Sequence, residues 1–472
     1  MALSINANMP ALNAQRNLGK TESMLSTSME RLSTGLRINA AKDDVAGMAI
    51  SDRMSTQVRG MNQAVRNAND AISLSQTAEG ALQESSNILQ RMRELSVQAA
   101  NDTNTDGDRA KIQKEITSLT SELDRIATTT EFNGKKLFDG NFGVATYQVG
   151  ANANETLNAS ITNFRTQQYG NYQITGTATA ATAATRTVAA KDIVVNGSIK
   201  SGTYTTVGAD TAKTIAEGIN KLGTGVTASA RTEIDTSYSS VGSYSVSITS
   251  DNTTAKTVSF NLSGTTGADN LAAVAKAFND ASGETGVTAK VSTDGSKVTL
   301  TNATGNDIKL ANASGVTNSG SVTVGGDTLA GSGDTSVING LVTLDSDKGF
   351  NATDAGTGYS VAATSSTLQA VSTLSVSSQT NATKALKIID SALSAVSDQR
   401  ANFGALQNRM ISVINNLQNV SENLSSAQSR IQDADFAQET GKLSRGQVLQ
   451  QAGLAMLAQA NQAPQQVLSL LR

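Results

Sequence analysis

Apolar positions in the N-terminal third recur at coiled-coil spacing. Met54, Val58, Met61, Val65, Ala68 and Ile72 step alternately by four and three residues, the seam of a heptad helix. A second row on another face, Ala71, Leu74, Ala78, Ala81, Ser85, Ile88, Met92, Leu95 and Ala99, keeps that spacing, so this helix must meet more than one neighbour. A turn-rich break at 101–107 follows. Thr105 and Asp108 then fit a capping box, and Ile112, Ile116, Leu119, Leu123 and Ile126 predict a shorter helix folding back on the first. Far downstream, Leu386, Ile389, Leu393, Val396, Phe403, Met410, Ile414, Leu417, Leu424 and Ile431 hold one register, which predicts a helix of roughly 45 residues. A heptad helix cannot bury its seam alone. The unmatched seams lie at opposite ends of the chain, so the simplest arrangement brings the ends together and leaves the middle as an insertion.

From about Arg165 to Thr380 the period changes. Alternating stretches such as Tyr244-Ser-Val-Ser-Ile-Thr and Lys297-Val-Thr-Leu-Thr read as half-buried strands. A weak repeat is visible: Ile215, Ile219 and Leu222 precede Gly225-Val-Thr-Ala, and Leu271, Val274 and Phe278 precede Gly286-Val-Thr-Ala. Residue usage agrees with this division. Eight of the ten methionines lie between Met1 and Met92, with the others at Met410 and Met456, and all seven tyrosines lie between Tyr147 and Tyr359. The expected fold class is therefore multi-domain α + β, with terminal helices paired as a long coiled-coil bundle and a β-rich outer insertion.

Composition narrows the chemistry. The chain has no histidine, cysteine or tryptophan, which removes imidazole bases, thiol nucleophiles, disulfides and the usual transition-metal ligands. A catalytic carboxylate would need an apolar pocket to raise its pKa, and aromatic residues are only 3% of the chain. Asp43 and Asp44 read better as acidic residues favouring the start of a helix than as a catalytic pair. No catalytic, metal or cofactor-binding residues are expected, and no enzyme. A net charge of −3 without a basic stripe argues against nucleic acid. The run Gly446 to Leu471 is uncharged but interrupted by amides, so membrane insertion is not expected. The first twenty residues lack the pattern of a cleavable signal peptide.

Several ordered motifs then acquire meaning together. Ser4-Ile-Asn, Arg31-Leu-Ser-Thr-Gly-Leu-Arg-Ile-Asn, Lys42-Asp-Asp-Val-Ala-Gly-Met-Ala-Ile, Leu89-Gln-Arg-Met-Arg-Glu-Leu-Ser-Val-Gln and Glu131-Phe-Asn-Gly-Lys-Lys-Leu mark the N-terminal part. Leu406-Gln-Asn-Arg, Ser429-Arg-Ile-Gln-Asp-Ala-Asp-Phe-Ala, Val448-Leu-Gln-Gln-Ala-Gly and Ala460-Asn-Gln-Ala-Pro-Gln-Gln-Val-Leu-Ser-Leu-Leu mark the C-terminal part. Both ends closely resemble bacterial flagellin, with Ala40 where that family usually has Ser and Val45 where it usually has Ala.

The resemblance implies a structural subunit that self-assembles into the extracellular flagellar filament, exported through a type III route. A hook–filament junction protein of the same axial family is the alternative. It also implies an inner-shell domain of residues 1–45 and 430–472, a coiled-coil domain of residues 46–165 and 381–429 with a small β-hairpin region, and a surface insert of residues 166–380. The insert is expected to form two subdomains, with the repeat near residues 205–230 and 265–310. Leu18, Leu25, Leu32, Met54, Val58, Met61, Val65, Leu424, Ile431, Leu449, Leu457, Leu468 and Leu471 are the expected assembly core. Val448, Leu449, Leu454, Leu457, Val467, Leu468 and Leu471 are the expected anchors for an export chaperone, and Arg91, Leu95 and Glu115 form a patch of the kind read by host innate receptors. Hook-junction and cap proteins are the expected partners at filament ends. In such a tube the amides of Gln447, Gln450, Gln451, Gln459, Gln462, Gln465 and Gln466 are expected to face a wet channel.

Overall fold

The computed structural model describes residues 8–176, 180–181, 190–313, 318–354 and 364–470. The chain divides into two compact units. The first comprises Met1–Thr77, Val144–Ser160 and Asn402–Arg472, and the second Ala78–Gly143 and Ile161–Ala401. Helix α2 (Val45–Ala100) and helix α7 (Gln379–Gln432) contribute to both.

In the first unit, helix α1 (Met9–Thr34) starts where Asn8 Oδ1 accepts a hydrogen bond from Ala11 N at 3.2 Å, with Pro10 in the first turn where its missing N–H costs nothing. It ends at Gly35, whose φ of 73° allows the left-handed cap and whose N–H donates to the Arg31 carbonyl. The linker beyond is stitched to the C-terminal segment: Arg37 N donates to Gln432 O at 2.7 Å and Ala434 N to Gly35 O at 2.9 Å. Asp44 Oδ1 accepts from Gly47 N at 2.9 Å, while Asp43 accepts from Asn39 N and Ala40 N. The backbone bonds from Ala40 and Asn39 hold the Asp43 carboxyl below the usual carboxylate range. These aspartates thus shape the entry into α2. Gly47 makes room there, since a methyl group on it would lie 2.6 Å from Ile38 Cδ1 and displace that side chain.

A two-stranded hairpin, Val144–Gln148 with Thr156–Ser160, packs Leu157 and Ala159 against Ala68 and Ala71 of α2 and Leu406 and Met410 of α7. Met61, Ala64 and Leu417 continue this core, with Val65, Val413 and Leu424 partly buried against it. The small residues of the α2 row admit this close layer.

In the second unit, helix α3 (Asp106–Thr129) carries the capping box expected at Thr105 and Asp108. Leu82, Leu89, Met92 and Leu95 of α2, Ile112, Ile116, Leu123 and Ile126 of α3, and Ile389 and Val396 of α7 are all buried. Helix α7 is 54 residues long and begins earlier than the leucine register indicated, because its first buried residues are the alanines Ala382 and Ala385.

The insert of this unit contains two helix-and-hairpin arrangements. Helix α4 (Ala212–Lys221) packs with the strands Asp192–Asn196, Thr227–Tyr238 and Leu341–Ser346, around Ile193, Ile215, Ile219 and Leu344. Helix α5 (Ala268–Asp280), followed by the one-turn α6 (Ser282–Thr285), packs with the strands Gly242–Thr249, Lys256–Leu262, Val287–Val291 and Val298–Asn302, around Tyr244, Phe260, Val274 and Phe278. The strand Thr227–Tyr238 serves both: residues 227–231 pair with Leu341–Asp345, and residues 232–236 pair with Val298–Asn302. One clasp recurs. Asn220 Nδ2 donates to Ala228 O and its Oδ1 accepts from Ala228 N, and Asn279 makes the same pair of bonds to Ala289.

Candidate functional site

Helix α8 (Phe436–Leu470) lies antiparallel to α1. Asn8 Nδ2 donates to Ala460 O at 2.8 Å at one end, and Ser28 Oγ donates to Glu439 Oε1 at 2.7 Å at the other. Between them, a methyl group added at Gly453 would lie 3.4 Å from Leu18 Cδ1, and one at Gly446 would lie 3.3 Å from Leu25 Cδ1. Leucine therefore faces glycine twice, one heptad apart. One row of α1, Ala11, Ala14, Leu18, Thr21, Leu25, Ser28 and Leu32, is shielded, with Thr27 and Arg31 half-buried beside it, and so is the row Glu439, Leu443, Gly446, Gln450, Gly453, Leu457 and Ala460 of α8. Each set steps by three and four. Hydrophobic periodicity missed these rows because half their members are small or polar. The signal was in the spacing of Gly446 and Gly453.

Of the expected assembly residues, Leu18, Leu25, Leu32 and Leu457 are half-buried in this seam. Met61 is buried in the first unit, where Met54, Val58, Val65, Leu424 and Ile431 are half-buried. Leu449 stands outside the seam at 45% exposure, and so do Val448 at 66%, Leu454 at 52% and Met456 at 65%. Met9, Leu12, Met24 and Met29 are bare in the same way on α1. Two helices shield only one face of each other, and the outer apolar side chains of both are left in water. Gln447, Gln451, Gln459 and Gln462 are exposed, whereas Gln450 sits in the seam. Leu471 lies outside the described residues, as do residues 1–7, and for Gln465, Gln466, Val467 and Leu468 only the helix is described.

Glu439 is the buried charged side chain of the seam, 5% exposed. Burial pushes its pKa up and is the largest single effect. Hydrogen bonds from Ser28 and Lys442, with the charges of Lys442 and Arg31, together outweigh it and hold the carboxyl below the ordinary glutamate range.

In the second unit, Arg91 bridges Glu94 and Glu115, both at 3.0 Å, and all three side chains are exposed. Leu95 does not join them. It is 2% exposed, because its place in the second heptad row turns it into the core, so an exposed patch here consists of Arg91 and Glu115 alone. Among the described residues no group of acidic side chains is placed to hold a metal ion, and no helix is long and apolar enough to cross a membrane.

Paired terminal helices that bury small residues between themselves and leave rows of large apolar side chains bare define a self-associating structural subunit. Residues 5–143 match the bacterial flagellin N-terminal helical region and residues 386–471 the bacterial flagellin C-terminal helical region. The B-type flagellin of Pseudomonas aeruginosa is 43% identical over 100% of both chains, and a flagellin of Salmonella rubislaw is 36% identical over 100% of both. A solved flagellar junction protein from Legionella pneumophila is 16% identical, covering 82% of this chain and 100% of its own, with a TM-score of 0.33. The chain belongs to the bacterial flagellin family, and it is a structural subunit of the extracellular flagellar filament.

Proposed function

We propose that α1 and α8 drive polymerisation through the apolar side chains they leave bare, and that the chain has no enzymatic activity. In this reading residues 1–45 and 430–472 form the inner shell, residues 46–165 and 381–429 the surrounding coiled-coil shell, and residues 166–380 the solvent-facing insert. The supporting observation is the exposure of Val448, Leu449, Leu454 and Met456 on a helix whose other face is already occupied by α1. Burial of each such side chain is worth about 1.5–3 kcal/mol, and in the filament further copies supply it. Leu18, Leu25, Leu32 and Leu457 then hold the pair together, while Met54, Val58, Met61, Val65, Leu424 and Ile431 support the neighbouring bundle.

The test is the pair Leu449→Ser and Met456→Ser in the full chain, with assembly onto filament seeds followed by sedimentation. The expected result is an unchanged monomer helix signal with polymer yield lost. Normal polymerisation of both variants would remove the reading. Before export the same row, Val448, Leu449, Leu454 and Leu457 with Val467, Leu468 and Leu471, is the surface a helical chaperone groove would cover, since bare apolar rows associate prematurely. Removing residues 446–472 abolishes chaperone capture if this holds. Arg91 and Glu115 are the exposed pair offered to a host innate receptor, and hook-junction and cap proteins meet the helical ends at the filament termini.

A further inference from the structure

An open cleft of about 240 Å³ lies beside Glu439 between α1 and α8. Its charged lining is Arg31, Lys442, Arg445 and the buried Glu439, and Met24 and Leu449 stand on its rim. Three cations face one carboxylate, and that carboxylate is already engaged by Ser28 and by Lys442 at 2.9 Å. Arg445 makes no hydrogen bond or ion pair to any described residue, and the Arg31 guanidinium donates no hydrogen bond to one. A guanidinium presents five donors in a planar fork suited to a carboxylate, and leaving it unpaired in a surface about to be desolvated is strongly unfavourable. The cleft is therefore incomplete in the single chain.

We propose that this cleft is a carboxylate-binding site filled by an acidic side chain of a second copy of the chain in the filament. The inference rests on the reading of α1 and α8 as the assembly helices. Continuity argues for a second copy: Met24 and Leu449 belong to the bare apolar rows, so any copy that covers those rows also closes the mouth of the cleft and removes its water. Charge argues for an acidic side chain: the cleft carries an excess of two positive charges. The chain also supplies suitable groups. Among the described residues of the same unit, the carboxylates of Glu22, Asp52, Asp70 and Glu422 make no hydrogen bond or ion pair. Arg445 is moreover the last charged residue before Arg472, so no charge beyond it competes along the rest of α8.

The experiment measures the critical concentration for seeded assembly of the full chain at low ionic strength, for Arg445→Gln and Arg445→Glu. The expected result is a critical concentration at least about tenfold higher for Arg445→Gln, a larger rise for Arg445→Glu, and an unchanged monomer helix signal. Reversal of one of Glu22, Asp52, Asp70 or Glu422 to Arg in the Arg445→Glu background is expected to restore assembly. If Arg445→Gln assembles as the wild type does while Leu449→Ser fails, the cleft proposal falls and the assembly-helix reading stands. If Leu449→Ser itself assembles normally, the underlying reading falls. If no reversal restores assembly and millimolar inorganic phosphate lowers the critical concentration of wild type but not of Arg445→Gln, the cleft holds a free anion and the second-copy occupant is refuted. If neither a reversal nor phosphate has any effect, the site proposal is likewise refuted.

Discussion

Replacing Arg109 by Met should cost the helical part of the second unit about 2–4 kcal/mol, although in sequence this residue looks like any solvated arginine of a helix. The Arg109 side chain is 9% exposed. Its Nε donates to Ala99 O at 3.0 Å and one terminal nitrogen donates to Asn101 O at 3.1 Å. Ala99 O is a carbonyl of the last turn of α2 with no partner within its own helix, whereas Asn101 O, just past the helix, also accepts from Asn104 N at 3.2 Å. Hydrogen bonds to a charged donor contribute about 1.5–3 kcal/mol each, and Ala99 is wholly buried, so water cannot easily replace the lost donor there. The nearby carboxylates matter far less. Asp102 at 3.7 Å and Asp106 at 3.5 Å have side chains 62% and 83% exposed, and exposed pairs contribute about 0–1 kcal/mol. Urea unfolding of the monomer, followed by the helical circular dichroism signal, should therefore rank Arg109→Met well below Arg109→Lys, with Asp102→Asn and Asp106→Asn near wild type. Lysine has one point donor in place of the fork, and a loss of about half is expected. An Arg109→Met variant within about 0.5 kcal/mol of wild type would refute the account, as would an Asp102→Asn variant costing as much as Arg109→Met.

Three further outcomes are expected. The depressed Glu439 pKa contributes stability to the α1–α8 pair above the ordinary glutamate value of 4.5, and this is lost as pH falls through the folded-state value, so Glu439→Gln should flatten the acid dependence of monomer helix content below that pH. Gly453→Ala should raise helix content by about 0.5–1 kcal/mol, since Leu18 is half-exposed and can yield to a methyl group at 3.4 Å, whereas Gly453→Ile should separate the helices and weaken assembly, read by exchange of α8 amides. Asn279→Ala removes both bonds of the α5 clasp, at 2.9 and 2.7 Å, and should cost about 2 kcal/mol in the surrounding module. Because the chain lacks tryptophan and six of its seven tyrosines lie between Tyr169 and Tyr359, tyrosine emission during thermal unfolding reports that loss.

The parts legible in the sequence were those in which large apolar residues carry the period. The rows from Met54 to Ala99 and from Leu386 to Ile431 gave α2 and α7, and Thr105 with Asp108 gave the start of α3, because a capping box is a local device readable over four residues. The first turns of α7 escaped notice because Ala382 and Ala385 bury too little surface to register as a period. Arg109 escaped because nothing in its neighbourhood distinguishes a guanidinium aimed at carbonyls from one aimed at water. The shared strand Thr227–Tyr238 was not among the stretches the alternation marked. Its partners lie more than sixty and more than one hundred residues downstream, and pairings at that separation leave no local mark.

The α1–α8 seam was illegible for a reason that bears on what the chain does. A seam of leucines would have been visible in sequence and would have made a stable helical hairpin by itself, with its outer faces free to be polar. The actual seam sets Leu18 and Leu25 against Gly453 and Gly446, and at its other steps mixes Leu32, Leu443 and Leu457 with Ala11, Ala14, Thr21, Ser28, Glu439, Gln450 and Ala460. Little apolar area is gained when such rows meet, so the pairing contributes only modestly to the stability of a single chain. The larger side chains are instead on the outside, at Met24, Leu449, Leu454 and Met456, where their burial requires other copies. In the reading proposed above, this distribution leaves the burial of the larger side chains to assembly rather than to the pairing of α1 with α8. It also lets α1 and α8 approach closely, since glycine opposite leucine sets the interhelical distance, and a closely spaced pair presents both bare rows to the same neighbour. Weak internal packing and strong external stickiness are thus two results of one choice of residues along two helices.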